Sequence, residues 1–238
     1  VKKAIETYQR ILEFDPDDFQ AVQRLDMLFT ESGSWHDLLS VLEREVELSG
    51  DPDEAIAFKF RIAELYVRHL DDVARAVEYL KDILTLSTGH DQSIRLLEEL
   101  VAGKRDQMLA AEVLEPIYQD LAEWRKLVGV LEVKLTAAEE PWQKVELLHQ
   151  IAGLLESDLH LDAPSEAFDV YARALAFDKT NEKTLARLED LAAQTGRWPD
   201  LAKLLDEQLK DAETADIVVP LGLRVAGIFE AQLDKGDE

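Results

Sequence analysis

The sequence matches itself without a gap when it is shifted by 163 residues. The identical pairs include Ala4/Ala167, Tyr8/Tyr171, Phe14/Phe177, Leu25/Leu188, Gly33/Gly196, Trp35/Trp198, Leu42/Leu205 and Ala63/Ala226. A third copy lies between these two, because residues 76–86 match 4–14 at a shift of 72 and residues 124–159 match 35–70 at a shift of 89. The second shift is larger by 17 residues, which predicts an insertion about one helix long. A period of this size indicates stacked repeats, in which no repeat buries its apolar face alone.

The pattern predicts two helical hairpins in each repeat, and the clearest hairpin covers residues 62–86. Its apolar residues are spaced by three and four on both sides of a short acidic elbow at Asp71. That spacing is typical of two amphipathic helices joined by a tight turn. Ala63 is small enough to let the two helices approach closely, and Tyr66 is expected to fill the space beside it.

Helix boundaries are marked by Pro, Gly and Asp. The first three predicted helices cover residues 4–14, 18–32 and 35–49. Pro16 cannot continue the hydrogen-bond ladder of the first helix, and Gly33 is expected to cap the second. Asp51 is expected to cap the following helix, with Pro52 at its first position.

The order of a small residue, a Tyr, an Ala and a bulky apolar residue in the hairpin around Ala63 and Tyr66 resembles the tetratricopeptide repeat. The resemblance covers nearly the whole chain, although most repeats are degenerate and the first-helix Trp of that family is missing throughout. It implies an all-α fold of the α–α superhelix type. The expected architecture is a right-handed solenoid of about 13 antiparallel helices with a concave groove.

The whole chain, 1–238, is expected to form one such solenoid. The repeat units are predicted at about 4–75, 76–166 and 167–238, with one extra helix near 106–120 that Pro116 should kink. The sequence starts inside an apolar-periodic helix and stops where another helix should begin, so we expect a fragment of a longer array. Its missing targeting signal therefore indicates no compartment, and the localisation is unknown.

The chain is strongly acidic, with 26 Lys and Arg against 50 Asp and Glu and a net charge of −24. Such a field repels phosphate groups, which argues against nucleic acid as a partner and against an anionic membrane surface. The most apolar run, 217–229, is interrupted by Arg224 and is too short to insert across a bilayer. A basic partner would be attracted; alternatively, the charge only keeps the surface soluble.

Nothing in the sequence predicts catalysis, a metal or a cofactor. The chain has no Cys, which excludes disulfides and thiolate chemistry. Glu146 and His149 have the Glu-x-x-His spacing of di-iron bundles, but such sites need a second motif that this chain lacks. Carboxylates alternate with cations, as in Glu43-Arg44-Glu45, which is typical of a solvated surface. We predict that the chain is not an enzyme.

Three Trp residues recur at one repeat position, the start of a hairpin's second helix: Trp35, Trp124 and Trp198. An aromatic residue that recognises a ligand rarely recurs in every repeat. These residues are therefore expected to be buried and to pack the elbow between helices.

The resemblance also implies where a partner would bind, because the first helix of each hairpin lines the concave groove. Counted from Ala63 and Ala152, the implied contact residues are Ala57, Phe60, Glu64, Val67 and Arg68, and then Glu146, His149, Gly153, Glu156 and Ser157. Members of the family that clamp a C-terminal carboxylate use Lys and Asn at these places, which this chain lacks. An apolar or mildly basic peptide fits better. Alternatively, these residues only pack against the next repeat.

The leading hypothesis is a non-enzymatic protein–protein interaction scaffold that binds a partner peptide in the groove. One alternative is a passive structural spacer within a large multi-repeat protein. Another is a helical regulatory domain appended to an enzyme or sensor. The sequence leaves open the partner's identity, the oligomeric state, and whether the groove or the acidic convex surface binds.

Overall fold

The computed structural model describes residues 1–103, 106–210 and 212–233, without the side chain of Leu233. Within these residues the chain forms thirteen α-helices and no β-strand. The helices are α1 (Lys2–Phe14), α2 (Phe19–Ser32), α3 (Trp35–Leu48), α4 (Pro52–Leu65), α5 (Val73–Leu86), α6 (Asp91–Ala102), α7 (Gln107–Asp120), α8 (Trp124–Ala137), α9 (Pro141–Glu156), α10 (Pro164–Leu175), α11 (Glu182–Thr195), α12 (Trp198–Lys210) and α13 (Ala215–Ile228). Short π-helical segments, Tyr66–Leu70 and Phe229–Leu233, extend α4 and α13. The predicted all-α class is confirmed.

Helix starts recur at the shifts found in the sequence. Three sets of helices begin in register: α2, α6 and α11 at Phe19, Asp91 and Glu182; α3, α8 and α12 at Trp35, Trp124 and Trp198; α4, α9 and α13 at Pro52, Pro141 and Ala215. The two π-helical segments also begin 163 residues apart. Helix α7 occupies the stretch in which the inserted helix is predicted, and it continues through Pro116 to Asp120.

The chain divides into two compact units, Val1–Ile117 and Tyr118–Glu238. In the first unit, each helix from α1 to α5 packs on the helix that follows it. In the second unit, the same holds for each helix from α8 to α12. Consecutive helices that touch across short turns form antiparallel pairs, so each unit is a run of helical hairpins.

Local capping explains several of the helix ends. Gly33 ends α2 with a φ of 68°, a left-handed conformation that glycine adopts without strain, as predicted. Asp51 caps α4 by accepting a hydrogen bond from the backbone N–H of Asp53 at 2.9 Å, also as predicted. Asp72 caps α5 in the same way, through the N–H of Arg75 at 3.1 Å.

In the second type of hairpin, an acidic residue (Asp26 or Glu189) stands where the 62–86 hairpin has the small residue Ala63, and it forms an ion pair between helices. Arg61 of α4 donates two hydrogen bonds of 2.7 Å to Asp26 of α2. Its repeat equivalent, Arg224 of α13, donates one hydrogen bond to Glu189 and a second to Glu182, both on α11. In both hairpins the carboxylate therefore has an Arg partner on another helix.

Three sequence-based expectations are wrong in detail. The alternating charges place Glu45 on a solvated surface, but it is 1% exposed, because it faces the Asp26–Arg61 pair. The first helix of the 62–86 hairpin is not a regular α-helix, since a π-helical segment ends it, with Asp71 in the left-handed region at φ 57°. The third expectation concerns the recurrent Trp residues.

The recurrent Trp residues are half-buried rather than buried. Trp35 stacks on His69 with ring centroids 3.8 Å apart, and Trp124 lies 4.4 Å from His160 in a tilted arrangement. Each of these two indoles contacts an imidazole near the end of the next helix. Such contacts leave part of the indole in solvent.

Candidate functional site

A cavity of about 460 Å³ lies in the second unit, between α9 and the turn that leads into α11. Helix α9 contributes Trp142, Glu146 and His149, which are four and three residues apart and therefore lie on one face of the helix. The opposite wall contains Asp178 and Lys183. Two of the predicted groove residues, Glu146 and His149, thus line one site.

Hydrogen bonds hold the opposite wall in place. The carboxylate of Asp178 accepts from the backbone N–H and the hydroxyl of Thr180, at 3.1 and 2.9 Å, and from the amide of Asn181. Asn181 then caps α11 by accepting from the backbone N–H of Thr184 at 3.0 Å. This wall is therefore rigid before any ligand arrives.

His149 connects the two walls. Its Nε2 atom lies 2.7 Å from the hydroxyl oxygen of Thr184, a fully buried residue, and its ring meets Tyr171 edge-on at 5.3 Å. Burial, and then the charge of Lys183, lower the pKa of His149 below its ordinary value of 6.5. The imidazole is therefore neutral at pH 7 and serves as a hydrogen-bonding group.

We expect His149 to titrate below pH 6.5 in a proton NMR titration, with its signal assigned by loss in His149→Gln. The variant Lys183→Gln should raise this pKa but leave it below 6.5, because burial is the larger cause. A pKa at or above 6.5 in the unmodified chain would contradict an enclosed position for this imidazole.

Trp142 is the exposed apolar part of the site, with 63% of its surface accessible. It stands one helical turn before Glu146, whose side chain is also exposed. An indole face beside a free carboxylate provides an apolar contact and a negative charge within reach of one ligand side chain.

The remaining predicted residues of the second unit lie elsewhere. The carboxylate of Glu156 is engaged inside the unit, accepting from the hydroxyl of Tyr171 at 3.3 Å and lying 2.8 Å from Arg187. Gly153 is half-buried and outside the cavity lining, and Ser157 is the C-cap residue of α9.

The predicted residues of the first unit are partly paired with one another. Glu64 lies 3.6 Å from Arg68, which also lies 3.9 Å from Glu99. Glu64 and Arg68 line a smaller cavity of about 220 Å³. Phe60 meets His90 edge-on at 5.7 Å. The other two predicted residues, Ala57 (exposed) and Val67 (half-buried), lie outside this lining.

Sequence reasoning missed six residues that line the larger cavity: Val145 and Gln150, which flank the predicted residues on α9, and also Trp142, Asp178, Asn181 and Lys183. The sequence could have indicated Trp142, because it stands four residues before Glu146 and seven before His149 and therefore shares their face of the helix. No sequence signal places Asp178, Asn181 or Lys183 there, because their position depends on how α11 packs against α9 and α10.

Two further observations concern the described part of the chain only. Its His, Asp and Glu side chains form no group of three that is arranged to hold a metal ion. None of its helices combines the length and the apolar character needed to cross a membrane.

No protein-family model and no curated protein matches this chain. Among solved structures, it is similar to the P58(IPK) TPR domain (14% identity, TM-score 0.37, 98% of this chain and 61% of that one). It is also similar to yeast Tom70 (12% identity, TM-score 0.33, 99% of this chain and 60% of that one). A third similar structure is Naa15/Naa10 bound to HypK-THB (13% identity, TM-score 0.28, 96% of this chain and 42% of that one). The chain thus spans less than two thirds of the length of each of these proteins.

Proposed function

We propose that this chain is a non-enzymatic interaction scaffold that holds a segment of a protein partner, with a basic side chain, in the cavity beside α9. The observation that carries the proposal is Trp142, a large aromatic residue left 63% exposed at a cavity of about 460 Å³. Exposed aromatic residues beside a concave site favour ligand binding over a purely structural role.

The charges at the cavity favour a basic side chain. Glu146 has no ion pair among the residues that the structure describes, so its carboxylate is available to a ligand. A Lys or Arg chain can lay its methylene groups on the indole of Trp142 and bring its charge to Glu146. Lys183 on the opposite wall repels a cation, which restricts the basic group to the α9 side. The net charge of −24 attracts such a segment from a distance.

The cavity is also preorganised. The chain of contacts from Asp178 through Asn181 and Thr184 to His149 fixes both walls relative to each other. A ligand therefore loses less free energy to ordering the protein than it would in a flexible site.

A second function is favoured by ion pairs that join helices two apart in sequence. Arg125 of α8 makes two hydrogen bonds to Glu166 of α10, and Arg173 of α10 makes two to Glu132 of α8. Such pairs hold the helices in place without any ligand. They suit the alternative of a passive structural spacer.

The test is selection of random peptides displayed on phage against the immobilised chain. We expect enriched peptides to carry Lys or Arg and to lose at least tenfold in affinity for Trp142→Ala and for Glu146→Gln. The matched control is Glu207→Gln, which removes the same charge from an exposed position on α12 and should leave affinity nearly unchanged.

Two results would count against the proposal. Enriched peptides that bind Glu146→Gln and Glu207→Gln equally weakly would assign the interaction to the overall acidic field. Failure to enrich any peptide that depends on Trp142 would favour the spacer.

A further inference from the structure

The hydrogen bonds behind the cavity beside α9 run in one direction, and Asn181 fixes that direction. One side-chain atom of Asn181 accepts the backbone N–H of Thr184 at 3.0 Å, which identifies that atom as the amide oxygen. The amide nitrogen therefore faces Asp178, whose carboxylate accepts its hydrogen. Both ends of the amide are thus assigned by their partners.

The hydroxyl group of Thr184 has one proton, and it donates that proton to Asn181. The two side-chain oxygens lie 3.1 Å apart, a distance at which a proton has to lie between them. The same hydroxyl oxygen lies 2.7 Å from Nε2 of His149, and Thr184 is fully buried. Because its only proton is already donated, Thr184 accepts from His149, so Nε2 carries the hydrogen.

The neutral imidazole of His149 therefore leaves Nδ1 as a hydrogen-bond acceptor. Burial and the charge of Lys183 lower the pKa of this imidazole below 6.5, so the ring carries a single proton at pH 7. Nδ1 has no hydrogen-bond partner among the described residues. The buried side-chain atoms that lack a partner there are an oxygen of Glu45 and an oxygen of Glu156. Nδ1 is thus accessible, on a residue that lines the cavity.

Two acceptors and an aromatic ring lie on one face of α9. Glu146 stands one turn before His149, and Trp142 stands one turn before Glu146. The carboxylate of Glu146 is on an exposed side chain, whereas the ring of His149 is held by Thr184 and by its edge contact with Tyr171. A ligand with donors on several atoms can reach both acceptors, whereas a single nitrogen has to approach both at once.

We propose that the cavity beside α9 selects arginine over lysine, and that Nδ1 of His149 is the acceptor that makes the difference. This inference rests on the proposed function, because it specifies the ligand of the same site. A guanidinium group is flat and carries five N–H donors on three nitrogens. It can lie on the indole of Trp142 and donate from its edge to Glu146 and to Nδ1.

The ammonium group of lysine has all three donors on one nitrogen, so it loses either the indole contact or one of the two acceptors. Lys183 on the opposite wall repels both cations alike and does not discriminate between them.

NMR of the imidazole nitrogens tests both the proton position and the preference. The chain, labelled with ¹⁵N, is titrated at pH 7 with acetyl-arginine methylamide and, separately, with acetyl-lysine methylamide. In the free chain, Nε2 of His149 should give the signal of a protonated nitrogen and Nδ1 that of an unprotonated one. The arginine compound should move the Nδ1 signal. It should also bind roughly three- to tenfold more tightly than the lysine compound, which is the usual contribution of one hydrogen bond.

His149→Phe is the matched variant, because it keeps a ring beside Tyr171 and removes both nitrogens; its loss of signals also assigns His149. It should bind the two compounds equally, and both should still move the indole N–H signal of Trp142. Circular dichroism checks its fold. If the variant does not fold, the Nδ1 signal of the unmodified chain decides.

The inference is overturned if Nδ1 carries the proton in the free chain, or if the arginine compound leaves the Nδ1 signal in place. Equal binding of the two compounds that still moves the Trp142 signal overturns the arginine preference and leaves the proposed function standing. A Trp142 signal that responds to neither compound overturns both.

Discussion

Replacing Leu175 by Ala is expected to lower the free energy of unfolding by roughly 2–5 kcal/mol. Leu175 is 0% exposed and ends α10, which packs between α9 and α11. Truncating the side chain removes apolar contact area and leaves a cavity that the surrounding helices fill only in part. Urea denaturation followed by circular dichroism measures the loss.

Leu12→Ala is the matched control, because Leu12 stands at the same repeat position 163 residues earlier. It is half-buried on α1, which packs on α2 within the residues that the structure describes, so the expected loss is below about 1 kcal/mol. Equal losses for Leu12 and Leu175 would mean that Leu12 is as fully buried as Leu175, and would contradict its half-buried position on α1.

Glu45→Gln is expected to stabilise the chain by about 3 kcal/mol at pH 9 and to have little effect at pH 4. The Glu45 side chain is 1% exposed, and its Oε2 atom has no hydrogen-bond partner in the described residues. Arg61 lies 4.0 Å from this atom but gives its hydrogen bonds to Asp26. Burial first, and then the charge of Asp26, raise the pKa of Glu45 to about 7 despite Arg61.

The direction in which stability changes with pH follows from proton linkage. The carboxyl group of Glu45 has its ordinary pKa of 4.5 in the unfolded chain and about 7 in the folded chain. Between these values the folded state keeps a proton that the unfolded state has lost, so stability falls as pH rises. The cost of the buried carboxylate is absent below pH 4.5 and complete above pH 7.

Urea denaturation at a series of pH values tests this prediction. The control is Glu31→Gln, which makes the same chemical change at an exposed position on α2. A stability difference for Glu45→Gln that does not change with pH would show that folding does not raise the pKa of Glu45.

The helices were predictable from sequence because their signals are local. Apolar spacing and the caps at Gly33 and Asp51 act within a few turns of a helix. The shifts of 72, 89 and 163 residues show these local signals recurring along the chain. The register that aligns Trp35 with Trp198 also aligns the starts of α3 and α12.

Burial was harder to predict, because it depends on which helix packs on which. Glu45 belongs to the charged run Glu43-Arg44-Glu45, yet it turns toward the Asp26–Arg61 pair. Leu12 and Leu175 are identical in type and repeat position but differ in their neighbours. No spacing rule distinguishes them.

The candidate site was predicted in part for the same reason. Glu146 and His149 were predicted from the resemblance, by counting from Ala152, and both line the cavity. Glu156 lies further along α9, but its carboxylate is engaged by Tyr171 and Arg187. The wall formed by Asp178 and Lys183 comes from a different hairpin, which helical periodicity on α9 does not reveal.

The most direct test of a basic-side-chain site beside α9 is the indole N–H spectrum of the chain, recorded by NMR. The chain is titrated with acetyl-lysine methylamide and, separately, with the norleucine analogue, which has a similar length but no charge. We predict that the Trp142 signal, assigned by its loss in Trp142→Phe, moves with the lysine compound and moves less with the norleucine compound. Glu146→Gln should abolish that difference. Equal movement with both compounds, or movement of all Trp signals together, would contradict a basic-side-chain site at Trp142.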